Sequence, residues 1–168
     1  VYAIENAIRN LLIGQGYSEA LNLSFASESD HNDFRPFEGD RVAVKNPLTE
    51  DTQYMRTMLA PSLLRSARRN FNFDQQLIRL FEIGKVYGPD SSGVPRERNT
   101  IGILGTGGFA DQDWTNPSPD YGFFHLKGLV DMLMRKLRIQ SYGIKPTKDV
   151  GWMNRREAAI LEIGGERI

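Results

Sequence analysis

Hydrophobic residues recur at helical spacing in three stretches of the chain, and each stretch predicts a helix with one apolar face. The first helix is predicted at residues 2–12 and the third at residues 123–137. The second begins at Pro61, because proline suits the first turn of a helix. The predicted apolar faces comprise Ile4, Ala7, Ile8, Leu11 and Leu12; Leu63, Leu64, Ala67 and Phe71; and Phe124, Leu126, Leu129, Val130, Leu133 and Leu137.

Alternating and β-rich segments between these helices predict strands joined by glycine-rich loops. A short helix is predicted through Phe34, with Ser27 as its cap and Asp30 three residues further on. Gly164-Gly165 predicts a two-residue hairpin turn, with Ile168 beginning the return strand. The strands are predicted at residues 20–25, 42–44, 54–58, 77–87, 100–104, 142–144 and 159–163, and the long loops at residues 88–93 and 105–121.

Helices scattered among hairpin-like strand pairs predict an α+β fold, because the regular alternation of a doubly wound sheet is missing. A length of 168 residues suits one domain, so we expect residues 1–168 to form a single domain. The chain starts at Val1 and not at methionine, from which we expect a fragment of a longer protein.

Composition narrows the classes of function. There are no cysteines, which excludes disulfides, thiolate metal sites and a cysteine nucleophile. Lys+Arg and Asp+Glu are both 21, and this neutral balance argues against nucleic-acid binding as the main task. No apolar run is long enough for a membrane span and no signal peptide is visible, so we expect a cytoplasmic protein without a membrane partner.

Three motifs in order resemble one family, the catalytic-core-like domain of the β subunit of bacterial-type phenylalanine–tRNA ligase. They lie at residues 46–64, 79–87 and 123–128, and segments 16–25 and 156–160 are similar to the same family. The resemblance therefore covers nearly the whole chain. The motif residues are Asn46, Pro47, Met55, Arg56 and Pro61; Arg79, Phe81, Glu82 and Gly84; and Phe124, Lys127 and Gly128.

This resemblance implies the class II synthetase core, an antiparallel sheet flanked by helices. It implies a parent complex, usually two α and two β subunits, that charges tRNA with phenylalanine using ATP and Mg²⁺. The α subunit carries the active site, so the implied partners of this chain are the catalytic α subunit and, through the complex, tRNA. The domain itself is expected to hold no cofactor and no catalytic or metal-binding residue.

The residues agree with an inactive domain. Class II catalysis needs an arginine whose guanidinium holds the ATP phosphates with bidentate, charge-assisted contacts. In the catalytic subunits that arginine ends a strand similar to residues 84–90, and Gly88 stands in its place here. Arg96 or Arg98 could substitute, and an active site would then be a pocket over the sheet lined by Arg56, Arg79 or Arg96.

Other candidate groups are weaker. His31 lies among polar residues and is expected to be solvated, while His125 opens an apolar helix and is expected to pack or cap it. No histidine pair has metal-ligand spacing. Asp111 and Asp113 could bind a cation, although a solvated loop is the simpler interpretation, and Trp114 could anchor that loop or serve a partner.

One local basic cluster is a candidate partner or RNA surface. Arg65, Arg68 and Arg69 share a face of the helix that begins at Pro61. A solvated helix face is the alternative interpretation. Phe71 and Phe73 follow, either as exposed interface aromatics or as a helix end that packs into the core. Three hypotheses thus stand: a structural domain, a residual ATP or adenylate site, and an RNA-contacting module.

Overall fold

The computed structural model of the protein describes residues 2–34, 41–89, 94–109, 119–148, 150–154 and 157–167. The chain forms two compact units, one spanning Gly16–Gly107 and one combining Val1–Gln15 with Gly108–Ile168. That residues 1–168 are a single domain stays a prediction.

The helices and strands follow one another along the chain in this order: α1 (Tyr2–Gly14), β1 (Ser18–Glu19), β2 (Phe25–Ala26), α2 (Glu28–Phe34), a 3-10 helix (Glu50–Thr52), β3 (Tyr54–Met55), α3 (Ala60–Phe71), β4 (Ile78–Pro89), β5 (Pro95–Thr106), α4 (Phe123–Lys136), β6 (Tyr142–Pro146), β7 (Ala159–Ile163) and β8 (Glu166–Arg167).

The unit Gly16–Gly107 is built on the hairpin of β4 and β5, which pair in antiparallel register from Ile78–Thr106 to Pro89–Pro95. The strands predicted at residues 77–87 and 100–104 are confirmed, but both extend further than predicted. Gly88 and Pro89 belong to β4 and not to a loop, and β5 begins five residues before the predicted start. The residues added at the outer end are Gly88 and Pro89 on β4 and a mostly polar run, residues 95–99, on β5, so hydrophobic alternation gave no sign of them.

Helix α3 packs on this hairpin through a small buried core of Leu59, Leu63 and Val86. Gly102 of β5 lies so close beneath Leu63 that a β-carbon there would collide with the leucine side chain. The predicted apolar face of α3 is only partly right. Leu64 follows Leu63 by about 100° around the helix, so it faces away from the hairpin and is exposed, as is Phe71 at the end.

The strand predicted at residues 20–25 is wrong. The structure has two short strands instead: β1 pairs in parallel with β4, and β2 pairs antiparallel with β3. Between them the alternation is inverted, because Leu21 and Leu23 are 89% and 74% exposed. The polar residue between them, Asn22, turns inward and donates a hydrogen bond to Glu82. A buried polar partner therefore overrides the hydrophobic pattern.

Two other predictions in this unit are resolved by backbone pairing. The predicted strands at residues 42–44 and 54–58 reduce to β3 and a single bridge between Ala43 and Tyr54.

The predicted cap of α2 is confirmed. The Asp30 amide donates to the Ser27 hydroxyl over 3.3 Å, and the Ser27 amide donates to the Asp30 carboxylate over 3.1 Å.

The other unit joins α1 and α4 with the three-stranded sheet β6–β7–β8. Gly164 and Gly165 have φ angles of +61° and +91°, which is the left-handed geometry of a two-residue hairpin turn. The predicted turn is confirmed, although its return strand begins at Glu166 and not at Ile168.

The predicted apolar face of α4 includes a residue that faces solvent. Phe124 is exposed, because it lies on the side of the helix opposite the buried Leu133. No helix among the described residues is long and apolar enough to cross a membrane.

Candidate functional site: a buried arginine network

Arg56 of the first family motif is buried, with 4% of its surface exposed. Its backbone is fixed on two sides: its amide donates to the Ser24 carbonyl over 2.9 Å, and its carbonyl accepts from the Tyr87 amide at 2.8 Å. These bonds tie the segment after β3 to the residue before β2 and to β4. The guanidinium therefore has a defined position beside the hairpin.

The guanidinium of Arg56 is engaged by the hairpin itself. Its Nε donates to the Lys85 carbonyl over 2.9 Å, and its Nη1 donates to Oε1 of Glu82 over 2.5 Å. Glu82 is 2% exposed, so the two charges neutralise each other away from water. Breaking a buried pair of this kind is costly, because the remaining charge is left without compensation.

Two polar side chains extend the network on the carboxylate side. Asn22 donates to the second oxygen of Glu82 over 2.7 Å, and Ser66 of α3 donates to the Asn22 side-chain carbonyl over 2.9 Å. Both carboxylate oxygens of Glu82 thus accept a hydrogen bond. We call Asn22, Arg56, Ser66 and Glu82 the arginine network.

Gly84 is needed where the arginine network meets β4. A β-carbon at this position would collide with the Arg56 guanidinium. The second motif therefore supplies both the carboxylate that binds Arg56 and the glycine that leaves it room. Phe81, which directly precedes Glu82 in β4, is fully buried. Asn22 and Ser66 were missed by sequence reasoning, since short polar residues in an amphipathic pattern give no signal of a long-range partner.

The structure separates most of the residues once expected around an ATP pocket. Arg79 donates to the carbonyls of Ile78 and Thr106 over 2.9 and 2.5 Å, so it holds the base of the hairpin. The cavity beside Arg56 measures only about 10 Å³, which is about the space of one water molecule. Gly88 lies within β4 opposite Arg96, and both Arg96 and Arg98 are exposed on β5.

The basic cluster lies on the outer face of α3. Arg65, Arg68 and Arg69 are all exposed, and Arg65 forms an ion pair with Asp30 of α2. Phe73, just beyond the helix, is 70% exposed and does not pack into the core. The structure thus brings Arg68, Arg69 and Phe73 to the C-terminal end of α3, whereas Arg65 lies in the middle of the helix. Asn46 and Pro47 of the first motif lie elsewhere, exposed before the 3-10 helix.

The third motif opens α4. Lys127 donates to Asp131 over 3.0 Å, and the Tyr142 hydroxyl of β6 donates to the same carboxylate over 2.9 Å. The Lys127 and Tyr142 hydrogen bonds hold the pKa of Asp131 below its ordinary value, and the Asp131 carboxylate raises the pKa of Tyr142. Together they fasten α4 to the sheet. Gly128 lies in α4 with open space beside its α-carbon.

His125 caps α4, one of the two roles expected for it. The Gly122 amide donates to Nδ1 of His125 over 3.1 Å, and the imidazole ring stacks on Phe109 and Tyr121 at centroid distances of 4.6 and 5.1 Å.

The remaining candidate groups are a second histidine and several loop residues. His31 was expected to be solvated, but it is half-buried. Among the described residues, no three His, Cys, Asp or Glu side chains are grouped to hold a metal ion. Asp111, Asp113 and Trp114 lie outside the described residues.

A cavity of about 560 Å³ lies between the start of α4 and the strands β6 and β7. Phe123, Ile144, Pro146 and Ala158 contribute apolar walls, and the lining also includes the polar residues Asp120, His125, Lys127 and Glu157. The lysine ammonium is already paired with Asp131. The lining is mainly hydrophobic. Its cation, the Lys127 ammonium, is engaged in an ion pair within α4.

The fold is that of the class II aminoacyl-tRNA synthetases. A solved structure of PylSc, a pyrrolysyl tRNA synthetase of Desulfitobacterium hafniense, superposes with a TM-score of 0.72 at 15% identity, over 99% of this chain and 54% of that one. A crystal structure of pyrrolysyl-tRNA synthetase from the same organism gives a TM-score of 0.68 at 16% identity, over 99% and 56% of the two chains. At these identities the likeness establishes the fold alone.

The family follows from sequence. The model of the phenylalanyl tRNA synthetase beta chain CLM domain matches residues 1–168, and the chain belongs to this family. The phenylalanine–tRNA ligase beta subunit of Carboxydothermus hydrogenoformans is 32% identical over 172 residues, covering 99% of this chain and 21% of that protein. That of Syntrophus aciditrophicus is 34% identical over 81% of this chain and 18% of that protein. The chain thus spans about a fifth of their length.

The buried pair predicts that two carboxylates of the same hairpin contribute very differently to stability. Glu82→Gln should lower the free energy of unfolding by about 3 kcal/mol, because Arg56 would remain buried without a countercharge. Glu97→Gln is the matched control: Glu97 pairs with Lys85 over 2.5 Å on the same hairpin, but both side chains are exposed. Urea unfolding measures both. Similar losses in the two variants would contradict a dominant role for the arginine network.

The lowered pKa of Asp131 predicts an acid-dependent contribution to stability. A folded pKa below the unfolded one stabilises the protein above the unfolded pKa, about 4, and this stabilisation is lost as the pH falls through the folded pKa. Asp131→Asn should therefore cost about 1 kcal/mol at neutral pH and progressively less in acid.

Urea unfolding at several pH values tests this dependence, and Asp33→Asn, at an exposed site on α2, controls for the loss of one negative charge. A difference between wild type and Asp131→Asn that stays constant down to acid pH would be inconsistent with it.

Proposed function

We propose that the chain is a non-catalytic structural domain of a phenylalanine–tRNA ligase β subunit. In this proposal it supports assembly with the catalytic α subunit, and the assembled complex charges tRNA with phenylalanine using ATP and Mg²⁺ in the cytoplasm. The observation that carries the proposal is the burial of Arg56, whose donors bind Glu82 and the Lys85 carbonyl. An arginine committed to the fold is not free to bind phosphate.

The position of Gly88 supports the same conclusion. A glycine in β4 offers no guanidinium where class II chemistry needs to hold negative charge on the ATP phosphates. At the other end of β4, Arg79 donates to two backbone carbonyls. A structural role needs the hairpin to stay intact but does not need a phosphate ligand at this position.

A structural domain also needs surface for its partner, and large apolar side chains are exposed in both units. Single exposed apolar residues are ordinary in soluble proteins, but clusters of them favour protein contacts. Leu21 and Leu23 flank the inward-facing Asn22, and Phe73 follows α3. The most exposed large apolar side chains among the described residues are Tyr2, Leu21, Leu23, Leu48, Phe73 and Phe124.

One observation favours a second candidate, a residual ATP or adenylate site. Arg96 lies directly opposite Gly88 in the register of the hairpin and is exposed. Its guanidinium is therefore carried by the strand next to the one that lacks the arginine. This site would take ATP with Mg²⁺ through Arg96, with Arg98 two residues along β5.

The two candidates separate in the complex of α and β subunits. Arg96→Ala combined with Arg98→Ala should leave kcat and the KM for ATP within about twofold of wild type, because we expect the phosphates to be held by the α subunit. Removing an essential phosphate ligand would instead lower kcat/KM by about a hundredfold or more.

Assembly of the α and β subunits tests the structural role separately from ATP binding. Glu82→Gln, which weakens the arginine network, should reduce the yield of the complex while leaving the charging rate per assembled complex unchanged. Assembly is measured by sedimentation and charging by tRNA aminoacylation. A complex that assembles normally although Glu82→Gln unfolds this domain would contradict the proposed role.

A further inference from the structure

The outer face of α3 alternates apolar and cationic side chains along two helical turns. Leu64 is 46% exposed and Phe71 is 39% exposed, and the exposed Arg68 lies between them at spacings of four and three residues. Side chains at such spacing form one continuous stripe on a helix. The buried residues Leu63 and Ala67 each precede a stripe residue and lie on the adjacent face, which packs on the hairpin, whereas the stripe itself stays exposed.

The charge of this face is only partly balanced within the chain. Arg65 is neutralised by Asp30, but in the described part of the chain nothing forms an ion pair with Arg68 or Arg69. Both occupy the last turn of α3, where the helix carbonyls favour cations. That effect accounts for arginine at the helix end. It does not account for exposed leucine and phenylalanine side chains beside it.

The turn after α3 presents a further aromatic residue in a fixed position. The amides of Phe73, Asp74 and Gln75 donate to carbonyls in the last turn over 2.9, 3.0 and 3.2 Å. Asp74 adopts φ = +59°, a left-handed conformation that is unfavourable outside glycine, asparagine and aspartate. An ordered turn thus holds Phe73 outward, so binding it costs little further ordering of the backbone.

We propose that Leu64, Arg68, Arg69, Phe71 and Phe73, the arginine–aromatic surface, dock an acidic and partly apolar protein surface on the catalytic subunit. This inference rests on the proposed function. Arginine beside exposed aromatic residues is the composition that dominates binding energy in protein interfaces. A surface that matches this pattern carries carboxylates opposite the two guanidinium groups and an apolar pocket for the leucine and the two phenylalanines.

The observations favour a protein over RNA as the occupant. Binding to nucleic acid is dominated by many phosphate contacts, whereas this surface offers two uncompensated arginines on a chain whose net charge is zero. Leu64 adds an aliphatic group, which has no role in stacking on bases. Charge steering toward carboxylates and burial of three apolar side chains act together only against a protein surface of matching pattern.

The complex of full-length α and β subunits tests this surface. Arg68→Glu with Arg69→Glu, and separately Phe73→Ser, should each weaken subunit association by about tenfold or more. The control is Arg135→Glu with Lys136→Glu, because these residues also form the basic pair in the last turn of a helix, α4. The control should stay within about threefold of wild type, and thermal melting should show that every variant is folded.

Each outcome separates the inference from the proposed function. If the wild-type β subunit does not associate with the α subunit at all, the proposed function fails and the inference with it. If association is normal in both surface variants, only the docking surface is overturned. If association is normal but tRNA affinity and its salt dependence fall, the surface binds RNA and the protein assignment is wrong. Should the charge reversal unfold α3, Arg68→Ala with Arg69→Ala gives the same test.

Discussion

The ion pair between Arg56 and Glu82 is the interaction on which the hairpin unit depends. It joins the segment after β3 to β4, and Asn22 and Ser66 extend it to the segment after β1 and to α3. The desolvation of two charges is offset only when their remaining hydrogen-bonding groups are satisfied. Glu82 meets this condition with both oxygens, and Gly84 leaves the space that the guanidinium fills.

In the proposed function, the same interaction gives a synthetase core a structural role without chemistry. In a class II site an arginine must present its donors to phosphate, whereas Arg56 presents them to a carboxylate and a carbonyl of its own chain. The sheet and its helices remain, and in this proposal the exposed groups of α3 serve a protein contact. Fold and activity would then be separable, because the fold depends on internal pairing and the activity would depend on unpaired donors.

Helices α1, α3 and α4 and the β4–β5 hairpin were predictable, because each buries a periodic apolar face or a long β-rich run. The sequence could not reveal that Asn22 turns inward while Leu21 and Leu23 face outward, since that depends on Glu82, sixty residues away. The outer ends of β4 and β5 were missed for a related reason: main-chain pairing extends both strands through residues that show no apolar alternation. Of the site, the family motifs marked Arg56, Glu82 and Gly84, but only the structure shows that these three residues meet.

Calorimetric titration of ATP with Mg²⁺ into the folded chain, with and without phenylalanine, tests the central claim most directly. We predict no saturable heat up to about millimolar ATP, because Arg56 is held by Glu82 and Gly88 carries no guanidinium. Saturable binding that disappears in Arg96→Ala would contradict this claim, since a phosphate ligand on β5 would then have replaced the missing one on β4.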